Sequence, residues 1–170
     1  MSTELDRRSF MKVVGGGIVV LVQCGRGGGG GAPGGEYPKD LNAYLRVDED
    51  GKVTVFSGKI EMGQGITTSL AQMAADELGV AIDAIEMVLG DTSRCPWDAG
   101  TWGSLTTRRF GPVMRAAVAE AREALIELAA ERLGAPRERL VVENGIVSVK
   151  DEPSKQVSYG ALARGQAIVR

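Results

Sequence analysis

The sequence predicts an α+β fold, a mixed sheet with helices on one face and the element order ββαβαββα. Three observations carry this expectation. Two stretches alternate apolar and polar residues around a turn dipeptide, two segments space their apolar residues helically and end on glycine, and a short apolar run separates those two segments.

In "AYLRVDEDGKVTVFS", Ala43, Leu45 and Val47 alternate with Tyr44 and Arg46, Asp50-Gly51 supplies the turn, and Val53 and Val55 resume the pattern. That is a β-hairpin signal. From Ile66 the apolar positions are Ile66, Leu70, Met73, Ala74 and Leu78, a helical stripe stopped by Gly79. "AIDAIEMVLG" then gives a strand over Ile85 to Leu89, ahead of the polar loop "GDTSRCPWDAGTWGSLTT". A second helix is expected from Val113 to Leu133, with Ala117, Ala121, Leu125, Leu128 and Leu133 on one stripe and Gly134 and Pro136 closing it. "RLVVENGIVSVKD" reads as a second hairpin turning at Asn144-Gly145, and "SYGALARG" as a last short helix.

The N-terminus has a different character. Residues 1–24 place Arg7 and Arg8 ahead of Phe10, Lys12 and an apolar run from Val13 to Val22. At about 1.5 Å per residue this run is too short for a hydrocarbon core of ~30 Å, so it reads as the core of an export leader. Paired arginines followed by Phe and Lys resemble a twin-arginine signal, which implies a periplasmic or otherwise exported product, with membrane association as an alternative. Residues 25–40 form a glycine-rich linker that reads as a flexible tether and not as a phosphate loop, because no strand precedes it and no helix follows. The folded body is expected over residues 41–170.

Composition excludes several functions. A net charge of -2 offers no attractive field for nucleic acid. The chain has no histidine, and its two cysteines, Cys24 and Cys95, form no CxxC pair. A self-contained zinc, haem or iron–sulfur site therefore lacks ligands, and Ser-His or Cys-His nucleophile pairs are ruled out. Any metal chemistry needs a cofactor or another chain to supply the coordination.

Two loops are candidate ligand sites. "GKIEMGQG", Gly58 to Gly65, and the loop Gly90 to Thr107 each end where a helix is expected to begin, and helix starts offer unpaired N–H groups to an anion. Thr101, Ser104, Thr106 and Thr107 add hydroxyls, although Thr106 or Thr107 would serve equally as a helix cap. Gln64 carries a donor and an acceptor and reads either as a contact to a heterocycle edge or as a solvated loop amide. Glu61 reads as a general base, as a balance to the helix dipole or as a partner of Arg108 or Arg109.

"EMGQGITTSLAQMAADELGV", "GDTSRCPWDAGTWGSLTT" and "LVVENGIVSVKDEPSKQVSYGALA" together resemble the large molybdopterin-binding subunit of molybdenum hydroxylases, the xanthine dehydrogenase and aldehyde oxidase superfamily. The twin-arginine-like leader close ahead of this segment is similar to the isoquinoline 1-oxidoreductase type. The resemblance implies that these loops bind molybdopterin cytosine dinucleotide. Gly63, Gln64 and Gly65 would lie on the pterin side, and Gly103, Ser104, Thr106 and Thr107 on the phosphates. It also implies hydroxylation of aldehydes or N-heterocycles together with partner chains. These are the remainder of the molybdopterin-binding subunit, a small subunit carrying [2Fe–2S] clusters, and a cytochrome as candidate electron acceptor. The family's catalytic glutamate has no counterpart among these residues, so no catalytic or metal-ligating residue is assigned. The alternative expectation is an inactive relic or a non-enzymatic exported binding module.

Overall fold

A computed structural model of the chain describes residues 18–22, 42–96 and 98–164. The paired arginines, the glycine-rich linker and Trp97 lie outside the described residues.

The first hairpin forms as expected: β2 (Asn42–Val47) and β3 (Val53–Ser57) pair antiparallel, with Leu45 opposite Val55 and Val47 opposite Val53. The Gly51 N–H donates to the Asp48 carbonyl at 3.0 Å, and its φ of 87° explains the glycine. A crossover through α1 (Ile66–Leu78) leads to β4 (Ile85–Leu89), which runs parallel to β3. All five residues of β3 are buried, as befits an interior strand.

The structure adds a strand where the leader core was expected. Ile18–Val22, the end of the apolar run, forms β1 and pairs antiparallel with β2. The first sheet is therefore four-stranded and mixed, in the order β1-β2-β3-β4.

The second hairpin also forms, with Asn144 at φ 49° and Gly145 at φ 73°, the doubly positive conformation that a two-residue turn requires. It does not join the first sheet. β5 (Leu140–Glu143) and β6 (Ile146–Val149) are completed by an unanticipated β7 (Glu152–Ser158) into a separate antiparallel sheet, which corrects the expectation of one sheet. Strand β7 was hidden because "EPSKQVS" carries a proline at its second position and has little apolar alternation.

Helix α2 (Gly111–Leu133) lies against α1 and buries Met114, Ala117, Val118, Ala121, Leu125 and Ala129. These meet Leu70, Ala74 and Leu78 of α1 and Leu45, Val47, Val53 and Val55 of the sheet in one core. Both helices stop as expected on left-handed glycines, Gly79 at φ 69° and Gly134 at φ 56°. The short α3 (Tyr159–Ala163) is capped by Ser158, whose hydroxyl accepts from the Ala161 N–H at 3.1 Å. Tyr159 ties the second sheet to the first helix: its buried hydroxyl donates to the Leu78 carbonyl at 2.9 Å.

Candidate functional site

The loops Gly58–Gly65 and Gly90–Leu105 follow two neighbouring parallel strands, β3 and β4, so the topology itself brings them side by side. Specific bonds then stitch them. The Gly90 N–H donates to the Ser57 carbonyl at 2.9 Å, and the Ile60 N–H donates to the Thr101 hydroxyl at 2.8 Å. Lys59, only 6% exposed, donates from Nζ to Asp98 Oδ1 and to the Gly100 carbonyl, each at 2.7 Å. Its ammonium also stands 5.7 Å from the centre of the Phe110 ring. Gly58 lets the loops approach: a Cβ there would lie 2.5 Å from the Asp98 Cβ and 2.7 Å from the Pro96 carbonyl oxygen.

Between the loops lies a cleft of about 460 Å³, lined by Met62, Gln64, Ile66, Thr101, Trp102, Gly103, Ser104, Thr106 and Thr107. Of the residues singled out from the sequence, it brings together Gln64, Thr101, Gly103, Ser104, Thr106 and Thr107. Gly63 and Gly65 are not in the lining. Both have positive φ, 92° and 77°, and a Cβ at either would meet nothing within 4 Å. Backbone conformation, not crowding, calls for glycine there, and it leaves that side of the loop open to a ligand.

Glu61 organises the first loop. Its carboxylate accepts from the N–H groups of Gly63 at 2.8 Å, Gly65 at 3.0 Å and Thr67 at 2.9 Å, and from the Thr67 hydroxyl at 3.0 Å. The Thr67 N–H first, then that of Gly65, holds the carboxyl down at about 2. Of the roles open to Glu61, the structure selects balancing the start of α1, not general base or partner to an arginine. It also corrects one expectation: donors at that helix start already serve an internal carboxylate and are not left for an outside anion.

Gln64 turns back on its own loop, its Oε1 accepting from the Met62 N–H at 2.5 Å and its Nε2 donating to the Ile60 carbonyl at 2.8 Å. Its amide holds the loop's shape at the edge of the cleft.

The second helix start differs from expectation. Thr106–Phe110 forms a π turn ahead of α2, entered from Leu105, and neither it nor α2 has a side-chain cap. The capping alternative for Thr106 and Thr107 therefore fails. Thr106 is buried and Thr107 exposed at this uncapped start, where backbone N–H groups lack an intrahelical acceptor. Before it, Ser104 has φ 54°, a left-handed conformation costly for a non-glycine residue and concentrated at functional positions.

Sequence reasoning missed Lys59, Asp98 and Trp102. Trp102 and Met62 are 54% and 67% exposed at the cleft, an apolar rim beside the hydroxyls. The arrangement suits a ligand combining a flat heterocycle with phosphate. Among the described residues no cluster of acidic or sulfur side chains could hold a metal ion directly.

Comparison with known proteins bears on this geometry. A family described as a molybdopterin cofactor-binding domain matches residues 2–169. The chain is similar to a subunit of nicotinate dehydrogenase from Pseudomonas putida, with 39% identity over 75% of this chain and 11% of that protein. It is also similar to the beta subunit of isoquinoline 1-oxidoreductase from Brevundimonas diminuta, with 30% identity over 71% of this chain and 16% of that protein. Among solved structures, quinoline 2-oxidoreductase from Pseudomonas putida 86 superposes with a TM-score of 0.61 at 32% identity, over 70% of this chain and 15% of that one. The chain thus spans a small part of the length of these relatives.

Proposed function

The chain belongs to the molybdopterin cofactor-binding domain family of molybdenum hydroxylase large subunits, and on that premise we propose that its two stitched loops form one wall of a molybdopterin cytosine dinucleotide site. The observation that supports this most is the cleft itself. Thr101, Ser104 and Thr107, an uncapped helix start and the Trp102–Met62 rim line a space of about 460 Å³.

The residues fit the group by their chemistry. Ser104, Thr106 and Thr107 would donate to phosphate oxygens, Gly63 and Gly65 would let the pterin side approach the backbone, and Gln64 would fix the loop between them. When bound, the cofactor supplies the two-electron redox chemistry of molybdenum; this chain's residues bind and orient it. Water activation and substrate binding fall to the chain that completes the site.

In this reading the assembled enzyme is an exported molybdenum hydroxylase acting on aldehydes or N-heterocycles, passing electrons to a small [2Fe–2S] subunit and on to a cytochrome. Residues 1–24 are its twin-arginine leader, and residues 25–40 the tether. The names of the relatives, which include nicotinate and isoquinoline oxidoreductases, support an N-heterocycle as substrate class. The adjacent coding DNA tests the proposal. A downstream reading frame carrying the remaining molybdenum loops, whose product copurifies with this chain, is expected. Unrelated sequence there would contradict it and leave a relic or a separate binding module.

A further inference from the structure

Trp102 is placed unlike Phe56, Phe110 and Tyr159. Those three rings are buried, whereas the Trp102 indole is 54% exposed on the wall of the cleft. An aromatic face contributes most when it is covered, so a ring left open beside a cavity is free to stack on a ligand.

The ring is exposed, but its seat is fixed. Gly100, at φ 121°, lies against the indole: a Cβ there would stand 3.2 Å from the indole Cδ1 and 3.3 Å from Nε1. A side chain at this position would crowd the ring. Gly100 is itself anchored through both backbone groups, its N–H donating to Asp98 Oδ1 at 2.8 Å and its carbonyl accepting from Lys59 Nζ at 2.7 Å. On the other side, the Trp102 carbonyl accepts from the Leu105 N–H at 3.3 Å and closes a turn. The buried Lys59–Asp98 pair thus positions the indole, and a seated ring gives up little freedom on binding.

The order of groups along this loop matches one half of the cofactor better than the other. Trp102 is followed at once by Gly103, Ser104, Thr106 and Thr107, a ring and then donors. A nucleotide carries the same order, a flat base one sugar away from its phosphates. The pterin side is assigned to Gly63–Gly65 on the opposite loop, which leaves the aromatic wall beside the phosphate donors to the second heterocycle.

We propose that Trp102 is the base-stacking residue of this site: its indole takes the cytosine ring, Met62 packs on that ring from the opposite loop, and the cleft binds a pyrimidine nucleoside diphosphate without the pterin. This rests on the molybdopterin reading for the identity of the ligand. Met62 suits the role because its thioether is flexible, polarizable and 67% exposed at the cleft.

The test uses the full chain and cytidine diphosphate in equilibrium dialysis, with inorganic pyrophosphate and a free pterin as competitors. The parent chain should bind the nucleotide, and pyrophosphate should displace it while the pterin does not. Stacking of a base on an aromatic ring is worth a factor of about ten to a hundred, so Trp102→Ala should weaken nucleotide binding by that factor. Pyrophosphate, measured directly, should bind both chains equally. Trp102→Phe keeps a ring and should retain nucleotide affinity within about threefold of the parent.

Four results would overturn the proposal: no nucleotide binding by the parent, equal nucleotide binding by the parent and Trp102→Ala, displacement by the pterin, or a parallel loss of pyrophosphate binding in Trp102→Ala. The last would make Trp102 a structural residue only. Molybdenum in the assembled parent complex reads the underlying assignment separately. Metal present, with equal nucleotide binding by the parent and Trp102→Ala, rejects the stacking role alone. Metal absent, with nucleotide binding weakened in Trp102→Ala, leaves a nucleotide site and rejects the molybdopterin reading.

Discussion

The Lys59 ammonium lies 2.7 Å from Asp98 Oδ1 across a separation of 39 residues, with both side chains less than a tenth exposed. That pair, with the Gly100 carbonyl as second acceptor, fixes the distance between the two loops and thus the width of the cleft. Removing one partner would leave a buried charge without its counterion. Lys59→Met is expected to cost about 3–5 kcal/mol and lower the melting temperature by roughly 10–15 °C. Replacing both partners, Lys59→Met with Asp98→Leu, should recover much of the loss in thermal denaturation.

Glu61 gives a pH dependence of defined sign. Its folded-state value, about 2, lies below the ordinary 4.5, so its stabilising contribution is complete above pH 4.5 and is lost as the pH falls through about 2. Glu61→Gln should melt below the parent chain at pH 7. The gap between the two melting temperatures should close as the pH is lowered towards 2; a constant gap would deny the carboxylate its role.

Ser104 separates folding from binding. Relief of its left-handed backbone by Ser104→Gly should stabilise the chain by about 1 kcal/mol. The same change removes a hydroxyl from the cleft, so cofactor loss from the assembled complex should become faster. Thermal denaturation and timed molybdenum release would show the opposite directions.

Gln64→Ala should barely change the stability, by about 0.5 kcal/mol or less, because both loop groups it serves are exposed and water replaces it. The same substitution should lower molybdenum retention. A full complement of metal in the variant complex would remove Gln64 from the site.

Much of the fold was legible because local patterns and tertiary burial agree. The alternation in "AYLRV", the Ile66–Leu78 stripe, the stops at Gly79 and Gly134 and the turn at Asn144-Gly145 each act within a few residues. The split into two sheets was not legible, since it depends on which hairpin edges meet, and β7 carries almost no apolar alternation.

At the site, the glycines and hydroxyls could be picked out by their spacing, and Glu61's carboxylate lies within six residues of every donor it holds. Lys59 and Asp98 could not be found that way. Their pairing follows from the parallel neighbours β3 and β4, and no local pattern marks either residue. The π turn at Thr106 likewise escapes a reading that expects a capped helix.

The cleft between Gly58–Gly65 and Gly90–Leu105 is expected to hold molybdopterin cytosine dinucleotide when the partner chain is present. The most direct measurement is the molybdenum and releasable cytidine monophosphate content of the complex purified from a host that makes this cofactor. The parent complex should contain the two in equal amounts, and the Gln64→Ala/Ser104→Gly complex, equally folded, should contain much less of both. A folded parent complex with neither, or a double variant that keeps both in full, would contradict the account.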